Sequence, residues 1–77
     1  MDSSSPGSQS IPGKITAVRG NIIDVAFAAP LPPRNQALRT GLDETVVLEV
    51  QSHLNTNTVR CIALNSTRRL GRGMPVR

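Results

Sequence analysis

Short runs of apolar residues, separated by glycine, proline, asparagine and aspartate, follow one another along this chain. None of the runs has the period of an amphipathic helix, and several alternate between apolar and polar positions. The pattern predicts strands over residues 14–18, 22–27, 45–54, 58–64 and 73–76, with a short edge strand over 35–39. Five or six short strands at intervals of about ten residues predict a small all-β barrel or sandwich, and a barrel leaves no exposed edge.

Alternation within these strands predicts which side chains share a face. One face of the second strand carries Ile23, Val25 and Phe27. One face of residues 45–54 carries Val46, Leu48, Val50, Ser52 and Leu54. The strand over 58–64 is apolar on both faces, with Val59, Cys61 and Ala63 opposite Ile62 and Leu64. A domain this small does not bury both faces, so we expect one of these two sets to be partly exposed and to meet a partner.

Glycine marks two predicted tight turns. Gly20 lies between the first two strands, and Gly71 and Gly73 precede the last one. Glycine adopts a positive φ at little cost, so we expect these glycines to shape turns that contain a left-handed residue. Residues 28–33 hold three prolines, which cannot donate to a strand ladder, and this predicts an extended loop crossing the domain.

The two parts of the chain differ in composition. Residues 1–12 are mainly serine, glycine and proline, and they predict a disordered leader because they bury too little apolar area to offset ordering. Residues 13–77 are predicted to form the barrel. With one Phe and no Trp or Tyr, the core must consist of aliphatic side chains. Such a small core argues against a large ligand pocket and for a neighbouring surface that completes the burial.

The charge is basic, with nine Lys and Arg against five Asp and Glu, a net charge of +4. The arginines are spread over the chain, and only Arg68, Arg69 and Arg72 cluster. One interpretation is a solvated or protein-facing surface, in which Arg34 and Arg39 steer pairing with an acidic neighbour. The alternative is a free-standing OB-like barrel that binds single-stranded nucleic acid. That surface requires stacking aromatic rings, and the chain has one Phe only.

Few groups suited to catalysis occur in the sequence. His53 is the single histidine and is interpreted as a hydrogen-bonded residue at a strand end. With no paired carboxylates and no Ser/His/Asp arrangement, we predict no catalytic residue and no metal site. Arg68 and Arg69 beside two glycines could cradle an anion, but the Walker pattern GxxxxGK is absent, which predicts no nucleotide cofactor in this chain. Cys61 lies alone in an apolar strand, which predicts a buried, unreactive thiol and a reducing cytosol.

The order of these residues resembles the amino-terminal barrel of the β subunit of rotary ATP synthases. Residues 13–20, GKITAVRG, are similar to the family's opening G-x-I-x-x-V-x-G, and residues 22–27 match its hydrophobic-hydrophobic-Asp-Val-x-Phe strand. The register continues through Leu31-Pro32, Ala37-Leu38 and, over residues 48–73, LEV-x-x-HL-x-x-x-x-VR-x-IAL-x-x-T-x-x-L-x-RG. Gln36 and the additional arginines depart from the usual pattern, so the subtype, proton-driven or a divergent ion-pumping relative, stays open.

The resemblance implies a six-stranded closed barrel at the crown of an alternating hexameric head, between homologous barrels of α subunits. It implies an assembly role here, and it assigns ATP, Mg and catalysis to later domains of a parent subunit that couples ATP synthesis or hydrolysis to ion transport. The expected location is cytoplasmic, peripheral to the inner membrane through the parent complex and without direct membrane contact. Nucleic acid is not an expected partner. Without α subunits, the domain is expected to self-associate weakly or to aggregate.

Overall fold

The computed structural model describes residues 13–28, 30–41 and 43–77, so the leader predicted over residues 1–12 lies outside the described part. Six strands form: β1 Gly13–Arg19, β2 Ile22–Ala26, β3 Ala37–Thr40, β4 Val46–His53, β5 Thr58–Ala63 and β6 Pro75–Val76. They pair antiparallel and close into a barrel in the order β1-β2-β5-β4-β3-β6. The predicted all-β class and six-stranded closed barrel are confirmed. Within the described ranges, no helix has the length and apolar character needed to cross a bilayer.

The core consists of side chains that point into the barrel, and aliphatic residues dominate it. Its buried members are Ile15, Ile23, Val25, Phe27, Leu38, Leu48, Val50, Val59, Cys61, Ala63 and Val76. The face predicted for Ile23, Val25 and Phe27 is confirmed by their burial. Alternation along β5 places every second residue of that strand in the core and the others outside.

A β-bulge in β4 changes the alternation predicted for residues 45–54. The register shifts between Val50 and Ser52, so Val50 pairs with buried Cys61 whereas Ser52 pairs with Arg60. Arg60 lies on the outside of the barrel, and Ser52 therefore faces outwards as well. The prediction that Ser52 shares a face with Val50 is therefore wrong. One extra residue in a strand moves the side chains that follow it to the opposite face of the sheet.

The proline-rich connection between β2 and β3 crosses one end of the barrel, because β5 and β4 lie between those two strands. His53, at the end of β4, anchors this loop. Its Nε2 lies 2.8 Å from the carbonyl oxygen of Pro32, and it donates, because a carbonyl oxygen only accepts. His53 is therefore a hydrogen-bonded residue at a strand end, as the sequence predicts.

Left-handed glycines shape both turns that the sequence predicts from glycine, and Gly41, directly after β3, also has a positive φ, of 95°. Gly20 has a φ of 60° in the two-residue turn between β1 and β2, the geometry of a type II′ hairpin turn. Gly73 has a φ of 87° in a second turn, closed by the Met74 N–H, which donates to the Gly71 carbonyl oxygen at 3.3 Å. Gly71 itself has no positive φ. The turn therefore contains the expected left-handed residue, which is Gly73, whereas Gly71 is its first residue and contributes its carbonyl.

The short strand β6 closes the barrel between β1 and β3. Val76 is fully buried and pairs with Thr40 of β3. Thr40 is also fully buried, and its Oγ1 donates to the Pro75 carbonyl oxygen at 2.9 Å, so the hydroxyl has the partner that burial requires. The ladder continues into Arg77, whose carbonyl accepts from the Arg39 N–H at 2.6 Å and whose N–H donates back at 2.9 Å. Two residues therefore suffice to seal the barrel because main-chain bonds extend beyond them.

Candidate interface on the outer face of the barrel

The outer face of β2, β5 and β4 carries a row of apolar side chains. Strand register places Ile22 opposite Ile62, and Ile62 opposite Glu49. Val47 and Leu64 lie beside this row, where the Leu64 N–H donates to the Val47 carbonyl oxygen at 2.8 Å. Ile22, Val47, Ile62 and Leu64 are called the outer patch below.

Exposure within the outer patch is substantial for such large apolar side chains. Ile22, Val47 and Ile62 are half-buried, and Leu64 is 60% exposed. The sequence did not decide which of the two faces of residues 58–64 is partly exposed. The structure shows that it is the face of Ile62 and Leu64. Among the described residues the other large exposed apolar side chain is Leu54, 42% exposed at the tip of the β4–β5 hairpin and outside the patch.

The second β5 set, Val59, Cys61 and Ala63, lies inside the barrel and is at most 7% exposed. The structure corrects their inclusion among candidate interface residues, because alternation places them on the core side of β5. Burial raises the pKa of the Cys61 thiol to about 12, and the charge of Asp24 acts in the same direction. The thiol therefore stays protonated, and Cys61 behaves as a small apolar core residue.

An ion-pair cluster borders the outer patch on β2 and β5. Arg60 donates to Asp24 twice, from Nε to Oδ1 at 3.0 Å and from Nη2 to Oδ2 at 3.2 Å. Arg19 adds a longer contact, from Nη2 to Oδ2 at 3.4 Å. Asp24 is only 8% exposed, so two guanidinium groups provide the hydrogen bonds that its carboxylate loses from water.

Positive charge predominates at this border. The hydrogen bonds from Arg60 to Asp24, and then the negative charge of Asp24, raise the pKa of the Arg60 guanidinium above its ordinary value. Two arginines against one carboxylate leave an excess of one positive charge. A partner surface that brings a carboxylate to this border would complement that excess.

The two arginines predicted to steer a partner lie at different distances from the patch along the sheet. Arg39 is exposed on β3 and pairs with Val47, so it borders the outer patch directly. Arg34 is exposed in the turn from Pro33 to Gln36, which precedes β3. Strand register thus links Arg39, but not Arg34, to the outer patch. The interface role of both arginines stays a prediction.

Sequence reasoning missed the pairing of Asp24 with Arg60. It also missed Ile22 and Val47 as members of an exposed patch. A signal for the ion pair was present, because a carboxylate within an apolar strand needs a partner when that strand is buried. The identity of the partner depends on β2 lying beside β5, and the spacing of the runs alone does not give that neighbour.

The aromatic ring required by the nucleic-acid alternative is not on the surface. Phe27 is 8% exposed and belongs to the core, so it offers no platform on which a base could stack. Throughout the described residues, no three side chains of His, Cys, Asp or Glu lie close enough together to hold a metal ion. The outer face instead combines half-buried apolar area with a charged border, the composition of protein–protein contact surfaces.

Comparison with known proteins is consistent with this geometry. The β-barrel domain of the ATP synthase alpha/beta family matches residues 15–77. "ATP synthase subunit beta 2" of Shewanella frigidimarina is 45% identical over 64 residues, covering 83% of this chain. "ATP synthase subunit beta 3" of Paraburkholderia xenovorans is 47% identical over 68 residues, covering 84% of this chain. Each alignment covers 14% of the relative, so the chain spans only a small part of the length of the curated relatives that it matches.

Proposed function

The chain belongs to the ATP synthase alpha/beta family, of which it forms the β-barrel domain, and from this premise we propose that it is the assembly barrel of a β subunit. In this role the barrel packs between barrels of α subunits and holds an alternating hexameric head together at its crown. The similarity to two β subunits supports the choice of subunit.

The single observation that carries this proposal is the outer patch. Ile62 is half-buried on the outer face of β5, whose other face fills the core, and Leu64, directly after β5, is exposed. A side chain such as Leu64, which is 60% exposed in the isolated chain, gains most from burial against a second apolar surface. The border of Arg39 on one side and Asp24 with Arg60 on the other resembles the polar rim that surrounds the centre of an interface.

The proposal extends to the complete subunit. A β subunit that carries this barrel binds ATP and Mg in a separate domain, synthesises or hydrolyses ATP, and couples that reaction to ion transport. The barrel contributes cohesion to the head, which lies in the cytoplasm at the periphery of the inner membrane. The identity of the transported ion is determined by other parts of the complex and not by the residues described above.

The test is association of this chain with the barrel domain of an α subunit encoded in the same genome. Sedimentation equilibrium of the mixture is expected to show a hetero-complex. The double variant Ile62→Lys/Leu64→Asp removes the apolar centre and is expected to abolish it. Leu54→Asp is the control for the Leu64→Asp change, because it makes the same substitution at an exposed leucine outside the outer patch.

Equal loss of association in the Leu54 control would show that the outer patch is not the contact surface. If the chain without substitutions associates with no α barrel, the assembly role itself is refuted. Calorimetry with ATP and Mg is a further check, in which the chain is expected to release no binding heat. A micromolar affinity for ATP would assign it a role that the proposal does not include.

A further inference from the structure

A cleft of about 260 Å³ lies between the turn that precedes β4 and the segment that follows β5. Val46 and Leu70, both half-buried, form its apolar part. Arg68 and Arg69 line one side, and Asp43 lines the cleft as well. None of these residues belongs to the outer patch, so the cleft is a second surface and does not depend on the assembly role proposed above.

Asn65 is the residue that opens the cleft. Pairing between the two neighbouring chain segments ends where the Leu64 N–H donates to the Val47 carbonyl oxygen. Beyond that point the Asn65 side chain replaces the main chain: its Oδ1 accepts from the Val47 N–H at 2.9 Å, and its Nδ2 donates to the Thr45 carbonyl oxygen at 2.8 Å. The Asn65 amide provides the hydrogen-bond partners of the Val47 N–H and the Thr45 carbonyl oxygen. The main chain after Asn65 therefore does not need to pair with this segment, and a space remains between β4 and residues 66–70.

The two arginines occupy a turn that is closed by a main-chain hydrogen bond and is tied to the barrel at its first residue. The Leu70 N–H donates to the Thr67 carbonyl oxygen at 3.0 Å, which makes Arg68 and Arg69 the central residues of a β-turn. The Thr67 Oγ1 donates to the Gly20 carbonyl oxygen at 3.0 Å, and this ties the turn to the β1–β2 hairpin. A ligand therefore meets guanidinium groups on a backbone that is already ordered, which lowers the entropy lost on binding.

The charge around the cleft is unequal. Arg68 and Arg69 are both exposed, and among the described residues neither has a carboxylate within ion-pair distance. Asp43 is the one carboxylate in the lining, against two arginines. The volume is below the roughly 300–1,000 Å³ of pockets that enclose small molecules. It suits one aliphatic side chain of a longer segment better than a whole ligand.

We propose that this cleft docks an acidic segment of a partner protein, which inserts an aliphatic side chain between Val46 and Leu70 and places carboxylates on Arg68 and Arg69. A nucleic acid is the less suitable occupant, because the lining holds no aromatic ring on which a base could stack.

The experiment is a two-dimensional ¹⁵N–¹H NMR titration of the 77-residue chain. The probes are a synthetic peptide of alternating leucine and glutamate, the same peptide with glutamine for glutamate, and oligothymidylate. The glutamate peptide is expected to shift the amides of residues 43–46 and 66–70 and to bind more weakly as salt is raised. In Arg68→Gln/Arg69→Gln the affinity is expected to fall about tenfold. The spectrum of each variant reports directly whether it is folded.

Two further variants test whether the affinity depends on the charges of the cleft in particular. Arg34→Gln/Arg39→Gln is the matched control, because it removes two exposed arginines outside the cleft and is expected to change the affinity less than about twofold. Asp43→Asn is expected to strengthen binding of the glutamate peptide, because it removes the one opposing charge of the lining. Equal loss in both arginine variants, equal binding of the glutamine peptide, tighter binding of oligothymidylate, or the absence of any shift in the cleft would each overturn the proposal.

Discussion

Asp24 and Arg60 face each other on neighbouring strands of the barrel wall and are joined by two hydrogen bonds, of 3.0 and 3.2 Å. The pair ties β2 to β5 on the outside, directly above core residues that join the same strands on the inside. The Asp24 side chain is 11% exposed, whereas the Arg60 side chain is 38% exposed. The carboxylate is therefore the member of the pair that loses most hydration and depends most on its partner.

Asp24→Asn is expected to destabilise the barrel. The amide retains the shape of the side chain but loses the charge that two guanidinium groups share, and the Asn NH₂ cannot accept from them. Urea unfolding followed by circular dichroism measures the change. Glu44→Gln is the matched control, since the Glu44–Arg77 pair is open to solvent on both sides, and there the expected change is less than about 0.5 kcal/mol.

We expect the effect of Asp24→Asn to be several times that of Glu44→Gln. Equal effects would mean that the Asp24–Arg60 pair contributes no more than an ordinary surface contact. Raised salt should reduce the effect of Glu44→Gln by a larger fraction than the effect of Asp24→Asn, because salt screens exposed charges more strongly than buried ones.

Gly73 and Gly71 provide a matched comparison of backbone strain. An added Cβ would meet no atom within 4 Å at either position, but Gly73 has a φ of 87° and Gly71 has no positive φ. Gly73→Ala is therefore expected to cost about 1–2 kcal/mol through strain alone, and Gly73→Val is expected to cost more than Gly73→Ala, because a β-branched side chain tolerates a positive φ less well. Gly71→Ala is expected to be neutral. Thermal melts of the variants measure the difference, and an unchanged melting temperature for Gly73→Ala would show that the turn does not need a left-handed residue.

Because of Cys61, the free energy of unfolding of the barrel is expected to fall as the pH rises into the alkaline range. The pKa of Cys61 is raised to about 12 in the folded chain, whereas the unfolded thiol titrates near its ordinary value of 9.0. Above that value the unfolded chain binds fewer protons than the folded one, so stability falls as pH rises, by at most about 1.4 kcal/mol per unit. The loss begins near pH 9 and continues towards pH 12, and below pH 8 the group has no effect.

Urea unfolding between pH 8 and about pH 10.5 tests this dependence. Cys61→Ala is the control. It leaves a small cavity and starts from a lower stability, but it is expected to lose the Cys61 contribution to the slope. The chain has no Tyr, so few other groups titrate in this window. Parallel slopes in the parent chain and in Cys61→Ala would show that the thiol is not the group responsible. A thiol reagent that labels the folded chain as fast as the unfolded one would contradict the burial itself.

Local signals in the sequence were enough for the strands, because the runs are bounded by glycine, proline or asparagine and several of them alternate with period two. They predicted the face that Ile23 and Val25 share, and the apolar character of both faces of β5. They failed at Ser52, because a β-bulge adds one residue without any mark in composition. They also could not choose between the two β5 faces, since that choice depends on the direction in which the sheet curves.

The ion pair and the cleft are harder to predict for a related reason. Asp24 meets Arg60 because β2 lies beside β5, and Asn65 opens the cleft because its amide replaces a main-chain partner of β4. Both depend on which strands are neighbours in the closed barrel. The resemblance to a family supplied the barrel, but not the individual side-chain contacts.

The last prediction concerns the chain alone in solution. In the chain alone Leu64 is exposed and Ile62 is half-buried, and copies of the chain can bury these residues only against one another. We therefore expect weak, concentration-dependent self-association, measured by sedimentation velocity over a range of protein concentrations. Leu64→Glu is expected to abolish it, because burial of the patch would then desolvate a charge. Leu54→Glu, with the same change at the exposed hairpin tip, is expected to leave it intact. Self-association that persists in Leu64→Glu, or disappears equally in Leu54→Glu, would show that copies meet through a different surface.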